Sequence, residues 1–453
     1  MKEYQSFIFD SYGFDPATNT IELNYCLDTD IRFTEKLILP ENVKVQGISK
    51  TLDAALRALH IIGGISYFKT CLPKKIAFCT GTLTDDQAKF WNTVYEKGLG
   101  EFFYRNNIDF RDLINFPHEE QTANSKQQTS SDPQSPIPNP QSRVLVPLGG
   151  GKDSTVTLEM LKKAGAEATL LRVGHHPLIT ATAKVAGLPL LTVERRIDPL
   201  LFKLNAEGAL NGHIPITAYL SFLTVVLAEL YGFDAIAMSD ERSANIGNVD
   251  FHGMKINHQW SKSLEFERMF REYVKTFISP DIDYFSLLRP FSELSIAKQF
   301  SKLPQYFPCT TSCNKNWKIQ ATSKKIQDGR WCCDCPKCAF VFALFAAFLP
   351  KKTLVQIFGK NLFDDTSLLP LYRELLGIKG FKPFECVGTP DETSAAFLLA
   401  HERGDLDDTI VMQLFRNEVL PKIKDGKKLI DEAMKPSAEH SIPVQFQKMV
   451  SFL

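Results

Sequence analysis

Between Leu148 and Ser154 the chain reads Leu-Gly-Gly-Gly-Lys-Asp-Ser, directly after the apolar run Val144-Leu-Val-Pro. Three consecutive glycines let a backbone approach an anion closely. A helix starting near Ser154 would aim its free N–H groups and its dipole at the same point. The chemistry this prepares is a grip on a nucleotide pyrophosphate by Gly149, Gly150, Gly151, Lys152, Asp153 and Ser154. A Walker A loop is excluded, because it needs four residues between its glycines and a Lys joined directly to Ser or Thr, and Asp153 interrupts that pair.

A second constellation is Cys313, Cys332, Cys335 and Cys338, the last three spaced C-x2-C-x2-C. Four thiolates at such spacing suit tetrahedral Zn²⁺, and a full set of four protein ligands points to structure instead of catalysis. The same residues would also serve an iron–sulfur cluster, and Cys309 and Cys333 are spare thiols nearby that leave the ligand choice open.

The elements that must position these groups fall into three regions and a seam. Residues 119–142 are crowded with Gln, Ser, Pro, Asn and Thr and predict a flexible linker. Ahead of it, residues 1–118 predict a small α+β domain. Phe7-Ile-Phe-Asp, the stretch from Thr20 to Tyr25 and that from Arg32 to Leu39 alternate as half-exposed strands do, and helical patterns follow from Thr51 to Ile62 and from Thr84 to Arg105. No catalytic constellation is visible there.

Residues 143–350 repeat a strand, turn and helix rhythm, with apolar runs at Val144–Leu148, Ala168–Val173, Leu190–Val193 and Ala235–Met238. The fold class this predicts is α/β, a doubly wound parallel sheet that binds ligands beyond the carboxyl ends of its strands. The residues just past those runs are polar or glycine: the glycine turn, Gly174-His175-His176, Glu194-Arg195-Arg196 with Asp198, and Ser239 to Asn245. The stretch from Met238 to Glu267 is a long polar segment of the kind that is uncommon unless functional. Residues 351–453 predict a helical C-terminal region.

The 453 residues carry a formal net charge of zero and are 44% hydrophobic, which gives nucleic-acid binding no support. The apolar run Ala339–Leu349 is far too short to cross a bilayer and predicts a buried helix. The start, Met1-Lys-Glu-Tyr-Gln, lacks a basic segment followed by an apolar one, so the expectation is a cytoplasmic chain with reduced thiols and no membrane insertion.

The glycine turn resembles the S-G-G-x-D-S signature of the PP-loop (adenine nucleotide alpha hydrolase-like) ATP pyrophosphatases, with Gly149 standing where that family has Ser. Taken with SxERSANxGN, NHQxSKSxEFE, CxxCxKCxFVF and Lys382-Pro-Phe-Glu-Cys-Val-Gly388, the chain resembles the ATP-dependent epimerases of peptidoglycan synthesis that act on UDP-N-acetyl-α-D-muramoyl-L-alanyl-L-glutamate.

The resemblance implies inversion of a terminal L-glutamate through an acyl-adenylate, with ATP and Mg²⁺ consumed to AMP and pyrophosphate. Glycine amides and Ser154 would hold phosphates and Asp153 would lead to Mg²⁺, with Lys152 a weaker candidate. Adenylation makes sense of the chemistry, because it removes the carboxylate charge that opposes loss of the α-proton. For the proton transfer, groups titrating near neutral pH are needed, and His258, Lys262 and Cys386 are the candidates. His258 and Lys262 would share a face if their segment is helical. Arg242, Asn245, Asn257 and Arg289 are the candidates for binding the small-molecule UDP-linked substrate. Two alternatives stay open: another PP-loop adenylating ligase or synthase, like those that make 7-cyano-7-deazaguanine, and a non-catalytic nucleotide-binding regulator.

Overall fold

The computed structural model describes residues 3–40, 48–119, 142–317 and 330–452. The linker expected over 119–142 lies outside these, apart from Glu119 and Ser142. The chain opens with an antiparallel meander, β1 (Ser6–Asp15), β2 (Thr20–Leu27) and β3 (Ile31–Ile38). It continues through α1 (Lys50–Phe68), β4 (Lys75–Phe78), α2 (Asp85–Gly98) and α3 (Gly100–Arg105). Helix α1 runs past the expected end at Ile62, across Gly63 and Gly64, which pack instead of terminating it. A Cβ on either would lie 2.5 Å from the Tyr25 hydroxyl or the Phe9 ring.

The middle of the chain alternates β5 (Arg143–Pro147), α4 (Lys152–Lys163), β6 (Glu167–Val173), α5 (Pro177–Ala186) and β7 (Leu190–Arg196). Then come α6 (Pro199–Ala206), α7 (Ile216–Tyr231) and β8 (Ala235–Met238), followed by a small hairpin, β9 (Val249–Phe251) with β10 (Met254–Ile256). Helix α8 (Leu264–Phe277), β11 (Asp283–Ser286), α9 (Glu293–Phe300) and α10 (Pro336–Ala346) complete it. Beyond Pro350 the regular elements of the described residues are helices joined by loops, and α10 is the buried helix that its apolar run predicts. No helix of the described residues is long and apolar enough to cross a membrane.

Nine strands form one sheet in the order β11-β8-β5-β6-β7-β3-β2-β1-β4. From β11 to β7 every pairing is parallel. Successive residues serve opposite faces: Val144 and Val146 enter the core under α4, α9 and α10, while Leu145 enters the core under α1 and α7. This double burial is why these strands read as continuous apolar runs. The winding reverses between β5 and β8, so a crevice is expected beyond their carboxyl ends.

The N-terminal meander is not a separate sheet. Strand β3 pairs antiparallel with β7, Lys36 opposite Arg196 and Ile38 opposite Glu194. Glu194, Arg195 and Arg196, expected in a loop past the strand, therefore belong to β7, because β3 supplies a partner that prolongs it. The buried Arg195 guanidinium meets both oxygens of Glu35 at 2.8 and 3.1 Å, stacks 3.9 Å above the Tyr219 ring, and Tyr67 and Tyr219 donate hydrogen bonds to the same carboxylate.

Candidate active site

The glycine turn leaves β5 and enters α4 at the winding reversal. Gly150 takes φ +73, a conformation that favours glycine, and Gly151 is the N-cap of α4. The segment before Cys313 lies against this turn: Thr311 N–H donates to Gly150 O at 3.0 Å, and Ser312 Oγ stands 3.1 Å from where a Gly151 Cβ would be. The side-chain hydroxyls of Ser312, Thr310 and Ser239 are buried and have no partner among the described residues. An unsatisfied buried hydroxyl costs about 1–3 kcal/mol, so that of Ser312, beside the turn, fits a ligand with oxygens to offer.

Lys152 does not face that corner. It is completely buried, and its ammonium meets the carboxylates of Asp153 and Glu293. Lys337, in the first turn of α10, contacts Glu293 at 3.1 Å and also donates to the carbonyl of Cys386. Burial alone would raise the Glu293 carboxyl, but the two ammonium groups hold it down at about 2. Next to this chain, Glu241 is pushed up to about 8 by burial and by the charges of Glu293 and Glu392.

The three proton-transfer candidates converge. Lys262 Nζ lies 3.7 Å from Cys386 Sγ, and the charge of His258 acts on the same thiol. Residues 258–262 are not α-helical: a turn at His258 leads into a single 3₁₀ turn, Trp260–Lys262. Side-chain amides compete with helical bonding there, since Asn257 Oδ1 accepts from Gln259 N–H at 2.8 Å and Asn248 Oδ1 accepts from His258 N–H at 2.9 Å. Asn248 also donates to the carbonyls of Lys382 and Pro383, which ties the Cys386 loop to the same frame. Gly388 lets that loop approach, because a Cβ there would lie 2.8 Å from the Phe340 ring.

The charges at this centre are mutually dependent. Burial would raise the Cys386 thiol, yet Lys262 and His258 bring it down to about 6. Burial would likewise push His258 down, but Cys386 and Glu101 hold it up at about 9. Lys262 is held above the ordinary lysine range, chiefly by the Cys386 thiolate and against burial. At neutral pH this is a thiolate between an imidazolium and an ammonium.

Glu101 is a member of the site that sequence reasoning missed. It sits on α3 in the N-terminal region, buried, with one oxygen on His258 Nδ1 and the other 2.5 Å from Arg105 Nε. His213 Nδ1 is 3.6 Å from it, and the His213 ring centre is 4.5 Å from that of His258. A lone Glu in a short helix offers no spacing signal, and its partner is 157 residues away.

The four sulfurs of Cys313, Cys332, Cys335 and Cys338 lie within 4.8 Å of one another. Cys332 and Cys338 are 3.7 Å apart, close to the sulfur separation of about 3.8 Å that bonds of about 2.3 Å to one tetrahedral ion imply. The spare thiols turn elsewhere: Cys309 toward Tyr306 O and Cys333 toward Phe358 O.

The candidates for substrate binding are engaged with the protein. Arg242 donates to the carbonyls of Lys435 and Ala433, and Arg289 is buried against Glu267 and the carbonyls of Glu241 and Lys262. Asn245 Oδ1 accepts from Leu264 N–H, and Asn257 Nδ2 donates to Ala244 O. Arg289, Asn245 and Asn257 brace the segment that carries His258 and Lys262, while Arg242 ties its own loop to the C-terminal region.

Models of the MurL N-terminal domain and the MurL C-terminal domain match residues 1–287 and 309–429. The chain is 38% identical to a UDP-N-acetyl-alpha-D-muramoyl-L-alanyl-L-glutamate epimerase of Xanthomonas oryzae, over 97% of this chain and 96% of that protein. It is likewise 38% identical to the protein of that name from a Micromonospora strain, over 100% of this chain and 99% of that one, and 39% identical to its counterpart in Salinispora tropica, over 91% and 89%. With the glycine turn, the cysteine cluster and the thiolate centre all inside the matched length, the chain belongs to the MurL family of muramoyl-dipeptide epimerases.

Proposed function

We propose that this chain inverts the terminal L-glutamate of UDP-N-acetylmuramoyl-L-alanyl-L-glutamate, a cytoplasmic step of peptidoglycan precursor synthesis that consumes ATP with Mg²⁺. The observation that carries the reading is the Cys386 thiolate held between His258 and Lys262 beside the winding reversal. The names of the relatives support the substrate.

The strand order, the glycine turn and the orphaned Ser312 hydroxyl support a PP-loop nucleotide site. In this reading Gly150, Gly151, Ser154 and Ser312 hold phosphate oxygens, while Lys152 locks Asp153 and Glu293 in place. Asp153 would hold Mg²⁺, whose charge would offset the surplus of buried acid that pushes Glu241 upward. A carboxylate oxygen of the substrate attacks the α-phosphorus and pyrophosphate leaves. The acyl group so formed no longer carries the charge that opposes carbanion formation. Cys386 Sγ takes the α-proton: the C–H bond breaks, an S–H bond forms, and the electron pair moves onto the acyl oxygen. A solvent-derived proton then adds to the α-carbon on the other face, and water attacks the acyl carbon, breaking its bond to the AMP oxygen and releasing the D-centre and AMP. At 3.7 Å from the sulfur, Lys262 leaves no room for a carbon centre between them, so it serves as counter-ion on the thiolate's own face.

The four-cysteine cluster supports one structural Zn²⁺, because an iron–sulfur cluster, with several metal atoms between its thiolates, would hold them further apart. Purified chain incubated with ATP, Mg²⁺ and the UDP-linked dipeptide in D₂O tests the whole reading. D-glutamate carrying α-deuterium, with AMP, is expected; AMP without inversion points to a ligase, and neither product points to a regulator.

A further inference from the structure

We propose that Glu101 is the positioning residue of the proton-transfer centre: its carboxylate, supplied by the N-terminal region, keeps His258 protonated and turned toward the Cys386 sulfur. The inference rests on the reading that Cys386 takes the α-proton.

The geometry fixes the ring. Glu101 engages Nδ1 of His258, which leaves Nε2 for Cys386. Arg105 occupies the other carboxylate oxygen, so the group cannot rotate away without breaking an ion pair. Helix α3 is itself seated on the hairpin that leads into His258: a Cβ on Gly100 would meet Ile256 of β10 at 3.4 Å. Orienting an imidazole through its far nitrogen with a buried carboxylate is what makes a histidine a dependable partner for a nucleophile or base.

The electrostatics require the carboxylate. An imidazolium in a buried site loses its proton unless a negative charge faces it. Glu101 and Cys386 supply those charges to His258. His213 adds none, since burial first and the charge of His258 next push it down to about 4. Facing the thiol are His258, Lys262 and Lys337 with positive charge, and Asp240, Glu241 and Glu385 nearby as carboxyl groups; Lys382, in the same loop, is lowered by burial. Without the Glu101 charge, His258 becomes neutral near pH 7, Cys386 loses that positive charge, and the thiol protonates more readily.

Full-length Glu101→Gln and Glu101→Asp variants test this. The pH dependence of iodoacetamide labelling at the Cys386 peptide, followed by mass spectrometry, should move upward by about one unit in E101Q, so that labelling falls roughly twofold at pH 7 and roughly tenfold at pH 5. The ratio of α-deuterium incorporation to AMP formation should drop at least as far at pH 7 and recover at higher pH. E101D, which keeps the charge, should restore both at least in part even if E101Q folds poorly. Labelling and deuterium ratio unchanged in E101Q, or lost equally in E101D, overturns the role of Glu101. A Cys386→Ala chain that still exchanges deuterium overturns instead the proton-transfer reading beneath it.

Discussion

The ammonium group of Lys262 lies 3.7 Å from the sulfur of Cys386, although the two residues are 124 positions apart in the chain. Their mutual charge makes epimerisation pH-dependent in a definite sense. Activity should rise as the pH passes upward through about 6, where Cys386 ionises, and decline above about 9, where His258 gives up its proton. In Lys262→Met the positive neighbour is gone, the thiol titrates higher, and the acid limb of kcat/KM should move up. Replacing Cys386 with Ala should cost about 10²–10⁴ in deuterium exchange while leaving folding intact.

A second expectation concerns Ser312, whose buried hydroxyl stands beside Gly151 with no partner among the described residues. Ser312→Ala should raise the KM for ATP by roughly fivefold to tenfold, the value of about 1 kcal/mol of hydrogen bonding. Gly149 has open space where a side chain would go, since a Cβ there meets nothing within 4 Å. The double variant Ser312→Ala with Gly149→Ser should recover part of the loss. An unchanged KM in the single variant would remove Ser312 from the phosphate site.

Glu293 joins Lys152 and Lys337 in a buried chain of charge, and it should matter more for stability than for binding. Its folded carboxyl is depressed to about 2 from an ordinary 4.5, so its contribution is complete above about 4.5 and disappears as the pH falls toward 2. Glu293→Gln takes from Lys337 its carboxylate partner and leaves Lys152 with Asp153 alone, and should cost about 3–5 kcal/mol in urea unfolding at neutral pH. A variant as stable as the parent would mean that the lysines find other partners.

The four-cysteine cluster and the thiolate are mechanically joined. Lys337 lies between Cys335 and Cys338 in sequence and donates to the carbonyl of Cys386. Chelation should therefore release one zinc per chain and abolish deuterium exchange, with loss of exchange following loss of metal. Metal-free protein with full exchange would break that link.

Legibility in the sequence followed the range of the interactions. The glycine turn, strands β5 to β8 and the set of four cysteines could be read because each rests on local spacing or on a continuous apolar run. Cys386, His258 and Lys262 were nominated by chemistry and family resemblance, and the structure brings them together, though with Lys262 too firmly protonated to serve as a resting base. Glu101 and Glu293 carried no signal, because an isolated charge in an ordinary helix reads as surface until its distant partner is known, and Lys337 stood within the cysteine motif with nothing to name its partners. His258 and Lys262 do not share a helical face, for a local reason: Asn248 and Asn257 offer the backbone bonds that a helix would have made.

The pairing of β3 with β7 has a consequence for the chain as a manufactured object. Cleavage somewhere within 119–142 would leave the two pieces held by three matched residue pairs and by the Glu35–Arg195 contact, so a nicked protein should stay whole on a sizing column. Made apart, each half would present a bare strand edge to solvent, an invitation to clump unless its complement is present. Split reporters built on this enzyme should accordingly reassemble spontaneously when both halves are produced in one cell.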